Sequence, residues 1–83
     1  MKVKINWHRT HEFGDHDTVG QLQDGRYFWT WNLGSAIEPE ELLKKGGDDG
    51  EDGGMIFDSL EGLIEEIEGG ERFDLSALVK ENF

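Results

Sequence analysis

The 83-residue chain has no cysteine, which excludes disulfides, thiolate zinc sites and a cysteine nucleophile. It has no apolar run long enough for a membrane span. Its opening, Met1-Lys2-Val3-Lys4-Ile5-Asn6-Trp7, alternates polar with apolar residues, so neither a signal peptide nor an anchor is expected there. Bases are scarce, with eight Lys and Arg against nineteen Asp and Glu. That shortage argues against direct binding of nucleic acid or of an anionic membrane. Catalytic signatures are missing as well: there is no Gly-x-Ser-x-Gly, no phosphate loop and no dinucleotide fingerprint. A non-enzymatic, cytoplasmic protein of one domain (residues 1–83), without a cofactor, is the expectation.

The charge that is present is unevenly placed. Residues 1–34 hold four bases and four acids, whereas residues 35–83 hold four bases and fifteen acids. The whole net charge of −11 therefore belongs to the second part. Such asymmetry suggests an acidic surface directed at something basic, or else a solubilising one.

The first part, 1–34, reads as β-rich. Val3, Ile5 and Trp7 alternate with polar residues, the period of a half-buried strand. A polar stretch from Arg9 to Asp17 follows, and then a hairpin signalled by Asp24-Gly25. A two-residue type I′ turn there sets Leu22 opposite Tyr27, Gly20 opposite Trp29 and Thr18 opposite Trp31. One face would then carry Leu22, Tyr27, Trp29 and Trp31, and the other Val19, Gln21, Phe28 and Thr30.

The second part reads as helical. Pro39 suits a first helical position, with Glu40 and Glu41 in the first turn and Lys44-Lys45 in the last. Residues 46–54, rich in Gly and Asp, predict a flexible acidic loop. Asp58 and Glu61 have capping-box spacing, and Leu60, Leu63, Ile64 and Ile67 follow the i, i+3, i+4, i+7 rule up to Gly69-Gly70. A last helix is expected from about Leu75, capped by Asp74. Strands followed by helices predict an α+β fold: a small antiparallel sheet of about three strands with two or three short helices on one face. Some ring on the uncovered face should then be exposed.

Three constellations carry candidate chemistry. His8, His11 and His16 lie near Glu12, Asp15 and Asp17, but the spacing gives no His-x-His or helical His-x-x-x-His. His8 and His11 would point apart on a continuous strand, so no metal site is assigned. An EF-hand reading starting at Asp48 fails, because Gly50 and Ser59 fall at ligand positions 3 and 12. The acids remain. Glu61, Glu65 and Glu68 line one helix face, presenting a carboxylate about every 5 Å. Phosphates along one DNA strand advance by about 3.4 Å, a comparable density. Glu66, Glu40, Glu41, Asp48, Asp49, Glu51 and Asp52 could extend the field, and Trp29 and Trp31 are candidate hot spots for a partner.

In size, absence of cysteine and the acidic face of Glu61, Glu65 and Glu68 beside Asp48, Asp49, Glu51 and Asp52, the chain resembles the acidic DNA mimics of phages, the anti-CRISPR and anti-restriction proteins. The resemblance implies an inhibitor that occupies the DNA-binding surface of a Cas protein or restriction nuclease. A second likeness is to small antitoxins of the HicB kind, in which an Asp-Gly-aromatic hairpin precedes a helix opening on Ser-Leu-Glu. Here these are Asp24-Gly25-Arg26-Tyr27 and Asp58-Ser59-Leu60-Glu61. The acidic insert departs from that pattern, and no DNA-binding tail is evident. An antitoxin or immunity protein neutralising a nuclease would use the same acidic physics, and a structural interaction module is the third expectation.

Overall fold

The hairpin signalled by Asp24-Gly25 forms, but at a different register from the one the turn signal predicts. The computed structural model describes residues 8–12, 15–33, 37–45 and 52–83. Four strands, β1 (His8–Glu12), β2 (Asp15–Gln21), β3 (Tyr27–Leu33) and β4 (Gly53–Phe57), form an antiparallel meander in the order β1-β2-β3-β4. Three helices complete the α+β fold: α1 (Pro39–Lys45), α2 (Leu60–Gly69) and α3 (Phe73–Asn82).

The expected strand at Val3, Ile5 and Trp7 lies outside the described residues. The stretch from Arg9 to Asp17, expected as a polar connection, instead supplies β1 and the start of β2. Its polar side chains hid the strands, because the alternation there is not one of apolar with polar residues.

The β2–β3 hairpin turns through three residues rather than two. The N–H of Gly25 donates to the Leu22 carbonyl at 3.0 Å and the N–H of Leu22 donates to the Arg26 carbonyl at 2.7 Å. Gly25 has φ of +98°. This is a turn closed by a glycine bulge. A type I′ turn would need positive φ at Asp24 too. Asp24 avoids that strain and instead accepts the Arg26 backbone N–H at 3.0 Å through its carboxylate. The extra loop residue moves the register by one, so Val19 faces Trp29, Thr18 faces Thr30 and Asp17 faces Trp31. A slip of one residue exchanges the faces of one strand relative to the other. Val19, Tyr27, Trp29 and Trp31 therefore share a face, whereas Leu22 joins Phe28 and Thr30 on the other.

Both faces are covered, which corrects the expectation of helices on one face. Val19 forms a fully buried cluster with Leu63 and Ile67 of α2 and Leu75 and Val79 of α3, flanked by Tyr27, Trp29 and Phe57. On the opposite face α1 packs over β3 and β4, where Leu42 and Phe28 are fully buried. Gly54 permits this approach: a Cβ there would lie 2.8 Å from the Thr30 methyl and 3.1 Å from Leu43 Cδ2. Each such buried Leu, Val or Ile contributes about 1.5–3 kcal/mol.

The helix boundaries follow local chemistry. Pro39 opens α1 as expected. Ser59, not Asp58, caps α2, accepting the Gly62 N–H at 3.1 Å. The α2 helix ends after Gly69 as expected, but Glu71 takes the left-handed residue of the turn, at φ 62°. The N–H of Arg72 donates to the Ile67 carbonyl and that of Glu71 to the Glu68 carbonyl, the paired bonds of a Schellman ending. The α3 helix begins at Phe73, earlier than expected, and Arg72 rather than Asp74 precedes it as N-cap. Of the expected loop 46–54, Gly53 and Gly54 are in β4, and residues 46–51 lie outside the described residues.

Candidate functional site

The α2 helix has an apolar side of Leu63 and Ile67, which sets Glu61, Glu65 and Glu66 toward solvent, and all three are exposed. Glu61 lies in the first turn of the helix, where a carboxylate meets the positive end of the helix dipole. Glu68, expected to extend the same row, is engaged otherwise. Its Oε2 accepts the Ser76 hydroxyl at 2.6 Å and the Lys80 ammonium at 2.9 Å, tying α2 to α3. These two hydrogen bonds, that of Ser76 first, hold the Glu68 carboxyl below its ordinary value. Glu68 is a tie between helices, not an open charge.

Every cation whose side chain is described is occupied by an acid of the same chain. Arg26 meets Asp24 at 2.8 Å, Lys44 meets Glu41 at 3.8 Å, and Lys80 meets Glu68 at 2.9 Å. Arg72 meets Asp17 at 2.7 Å and Asp74 at 3.4 Å. None of these pairs involves Glu61, Glu65 or Glu66, so among the described residues the outer face of α2 is not neutralised by its own chain. The hydrogen bonds and charge of Arg26 lower the Asp24 pKa, and those of Arg72 lower that of Asp74.

The other acids assigned to the interface do not join that face. Glu40 and Glu41 lie on α1, on the opposite side of the sheet, where Glu41 is partnered by Lys44. Asp52 is half-buried and accepts the Leu33 backbone N–H at 3.2 Å, closing the end of the β3–β4 ladder. Asp48, Asp49 and Glu51 lie outside the described residues.

The two tryptophans serve the fold. Trp29 donates from Nε1 to Asp17 Oδ1 at 3.0 Å and packs against the α2–α3 cluster. Trp31 leans against it, ring centroids 5.1 Å apart and planes at 59°. Asp17 is buried and bridges Trp29 to Arg72. The sequence reading missed this junction, although Asp17 lies an even number of residues from Val19 and so belongs to the same face. The exposed ring expected of an uncovered sheet face is found elsewhere: Phe73, at the start of α3, is 62% exposed.

Among the described residues no group of three or more His, Asp or Glu is placed to hold a metal ion, and no helix is long and apolar enough to cross a membrane. Comparison with protein-family models, curated proteins and solved structures finds no match to the chain.

Proposed function

We propose that the protein is an acidic inhibitory binder that occupies the basic, nucleic-acid-binding surface of a partner protein, as a DNA mimic acting against a bacterial defence nuclease would. The observation that carries this reading is the outer face of α2: Glu61, Glu65 and Glu66 are exposed, while every described cation is engaged by other acids. Unneutralised carboxylates on a rigid helix give a field that attracts a cationic groove and weakens with salt. The acids of α1 face the other way, so α2 is the primary contact and α1 is not part of one continuous decoy surface. An antitoxin or immunity protein that neutralises a nuclease would use the same face.

The test is capture from a bacterial lysate containing defence nucleases, with salt steps followed by competing duplex DNA. A captured basic protein released by duplex DNA supports the decoy, and release by salt alone supports a neutraliser that binds away from the nucleic-acid groove. The triple variant Glu61→Lys/Glu65→Lys/Glu66→Lys should lose capture, whereas Glu41→Lys should retain it. Equal capture by all forms would remove α2 from the interface. A structural interaction module is favoured by Phe73 and by Leu33, which is 51% exposed. Such a module would bind without salt dependence and fail on Phe73→Ser.

A further inference from the structure

The row of carboxylates on α2 runs toward the turn that joins α2 to α3. Glu61 and Glu65 are followed, at the same spacing, by Gly69, where a Cβ would meet nothing within 4 Å. No basic residue lies in the last turn of α2. Glu65, Glu66 and Glu68 therefore gather toward the negative end of the helix dipole, which deepens the negative field there. Phe73 stands on the other side of the turn. On α3 it shares a stripe with Ser76 and Lys80, at i, i+3 and i+7. That stripe faces α2, because Ser76 and Lys80 both reach Glu68. Phe73 is 62% exposed, lies outside the buried cluster and makes no ring contact among the described residues. Between Gly70 and Phe73, Glu71 is exposed and holds φ 62°. Glycine takes that conformation at lower cost, and two glycines stand immediately before it. A carboxylate kept at a strained position points to a use for its side chain.

We propose, on the reading of α2 as the contact face, that this turn is the anchor of the interface and takes an arginine of the basic partner, its guanidinium stacked on the Phe73 ring and paired with the Glu71 carboxylate. Charge complementarity selects this occupant. An apolar partner residue would cover the ring but desolvate Glu65 and Glu71 without supplying a counter-charge. A cation meets both the ring face and the carboxylates. Arginine suits the place better than lysine, since its guanidinium is planar, weakly hydrated and able to stack while it donates in its own plane. The nearby cations of the chain are engaged elsewhere: Arg72 is held by Asp17 and Asp74, and Lys80 by Glu68. Phe73 thus gives the acidic face a preference among cations that exposed carboxylates alone lack.

The experiment is a nuclear magnetic resonance titration of the protein at low salt with octa-arginine and, separately, with octa-lysine. Octa-arginine should shift the Phe73 ring and Glu71 amide resonances and bind about two- to fivefold more tightly than octa-lysine. Phe73→Leu should erase that preference, and Phe73→Tyr should keep it. Glu71→Gly should weaken octa-arginine binding by about twofold or more although it relieves the strained backbone, so binding and stability move in opposite directions. The Glu61→Lys/Glu65→Lys/Glu66→Lys variant should weaken the binding of both peptides. Equal affinity for the two peptides, or an arginine preference that survives Phe73→Leu, would overturn the anchor, and the α2 reading would still stand if the triple variant loses binding. Binding indifferent to the triple variant would remove α2 from the interface and the anchor with it.

Discussion

Removing the cation of Arg72 tests how the sheet is fastened to the helix pair. Asp17 has 4% of its side chain exposed and is held by two donors, Arg72 Nη1 at 2.7 Å and Trp29 Nε1 at 3.0 Å. Arg72 is 29% exposed and shares its guanidinium with Asp74. Burial opposes the Arg72 charge, yet the hydrogen bonds to Asp17 and Asp74 outweigh it and raise its pKa. Arg72→Met keeps the packing stem but leaves a buried carboxylate with a single neutral donor. Breaking a fully buried pair on one side costs about 3–5 kcal/mol, and the partial solvation of Arg72 reduces this to about 2–4 kcal/mol. A domain of this length has a total stability of about 4–12 kcal/mol, so the loss is a large fraction of the whole. Urea unfolding followed by circular dichroism and tryptophan fluorescence measures it, and the midpoint of thermal unfolding should fall by about 10 °C or more. The double variant Arg72→Met/Asp17→Asn should recover part of the loss, with a coupling of at least about 1 kcal/mol. A cost under about 0.5 kcal/mol for Arg72→Met, with additive effects in the double variant, would refute the reasoning.

Gly54→Ala should destabilise by about 1–3 kcal/mol in the same assay, because the new methyl meets the Thr30 methyl at 2.8 Å and Leu43 Cδ2 at 3.1 Å. Glu71→Gly should stabilise by about 0.5–1 kcal/mol, relieving the left-handed backbone at φ 62° against the greater entropy of glycine in the unfolded chain; destabilisation would show that the Glu71 side chain has a structural role. The lowered pKa of Glu68 makes a contribution that is present above its ordinary value of 4.5 and is lost as pH falls through the folded value. Urea midpoints between pH 6 and pH 3 should therefore fall less steeply in Glu68→Gln than in the parent; identical slopes would mean that the tie to Ser76 and Lys80 does not couple to folding.

Local chemistry alone determined much of the helical part. Pro39 at the start of α1, the apolar stripe of Leu63 and Ile67, and the glycines ending α2 were legible because each depends on neighbours within one or two turns of chain. The α+β class followed from the order of such segments, and the outward direction of Glu61 and Glu65 followed from the stripe opposite them. The strand Gly53–Phe57 was not legible, since two glycines and an acidic flank resemble a loop until β3 and α1 close around them. Tertiary structure also decided which acids are open. Glu61 and Glu68 look alike in sequence, but only Glu68 has Ser76 and Lys80 brought within hydrogen-bond distance. It likewise decided that Asp17 meets Arg72, 55 residues away. The physical reason is common to these cases. Periodicity fixes which side of its own element a residue occupies, whereas neutralisation and burial depend on what a distant part of the chain places against that side.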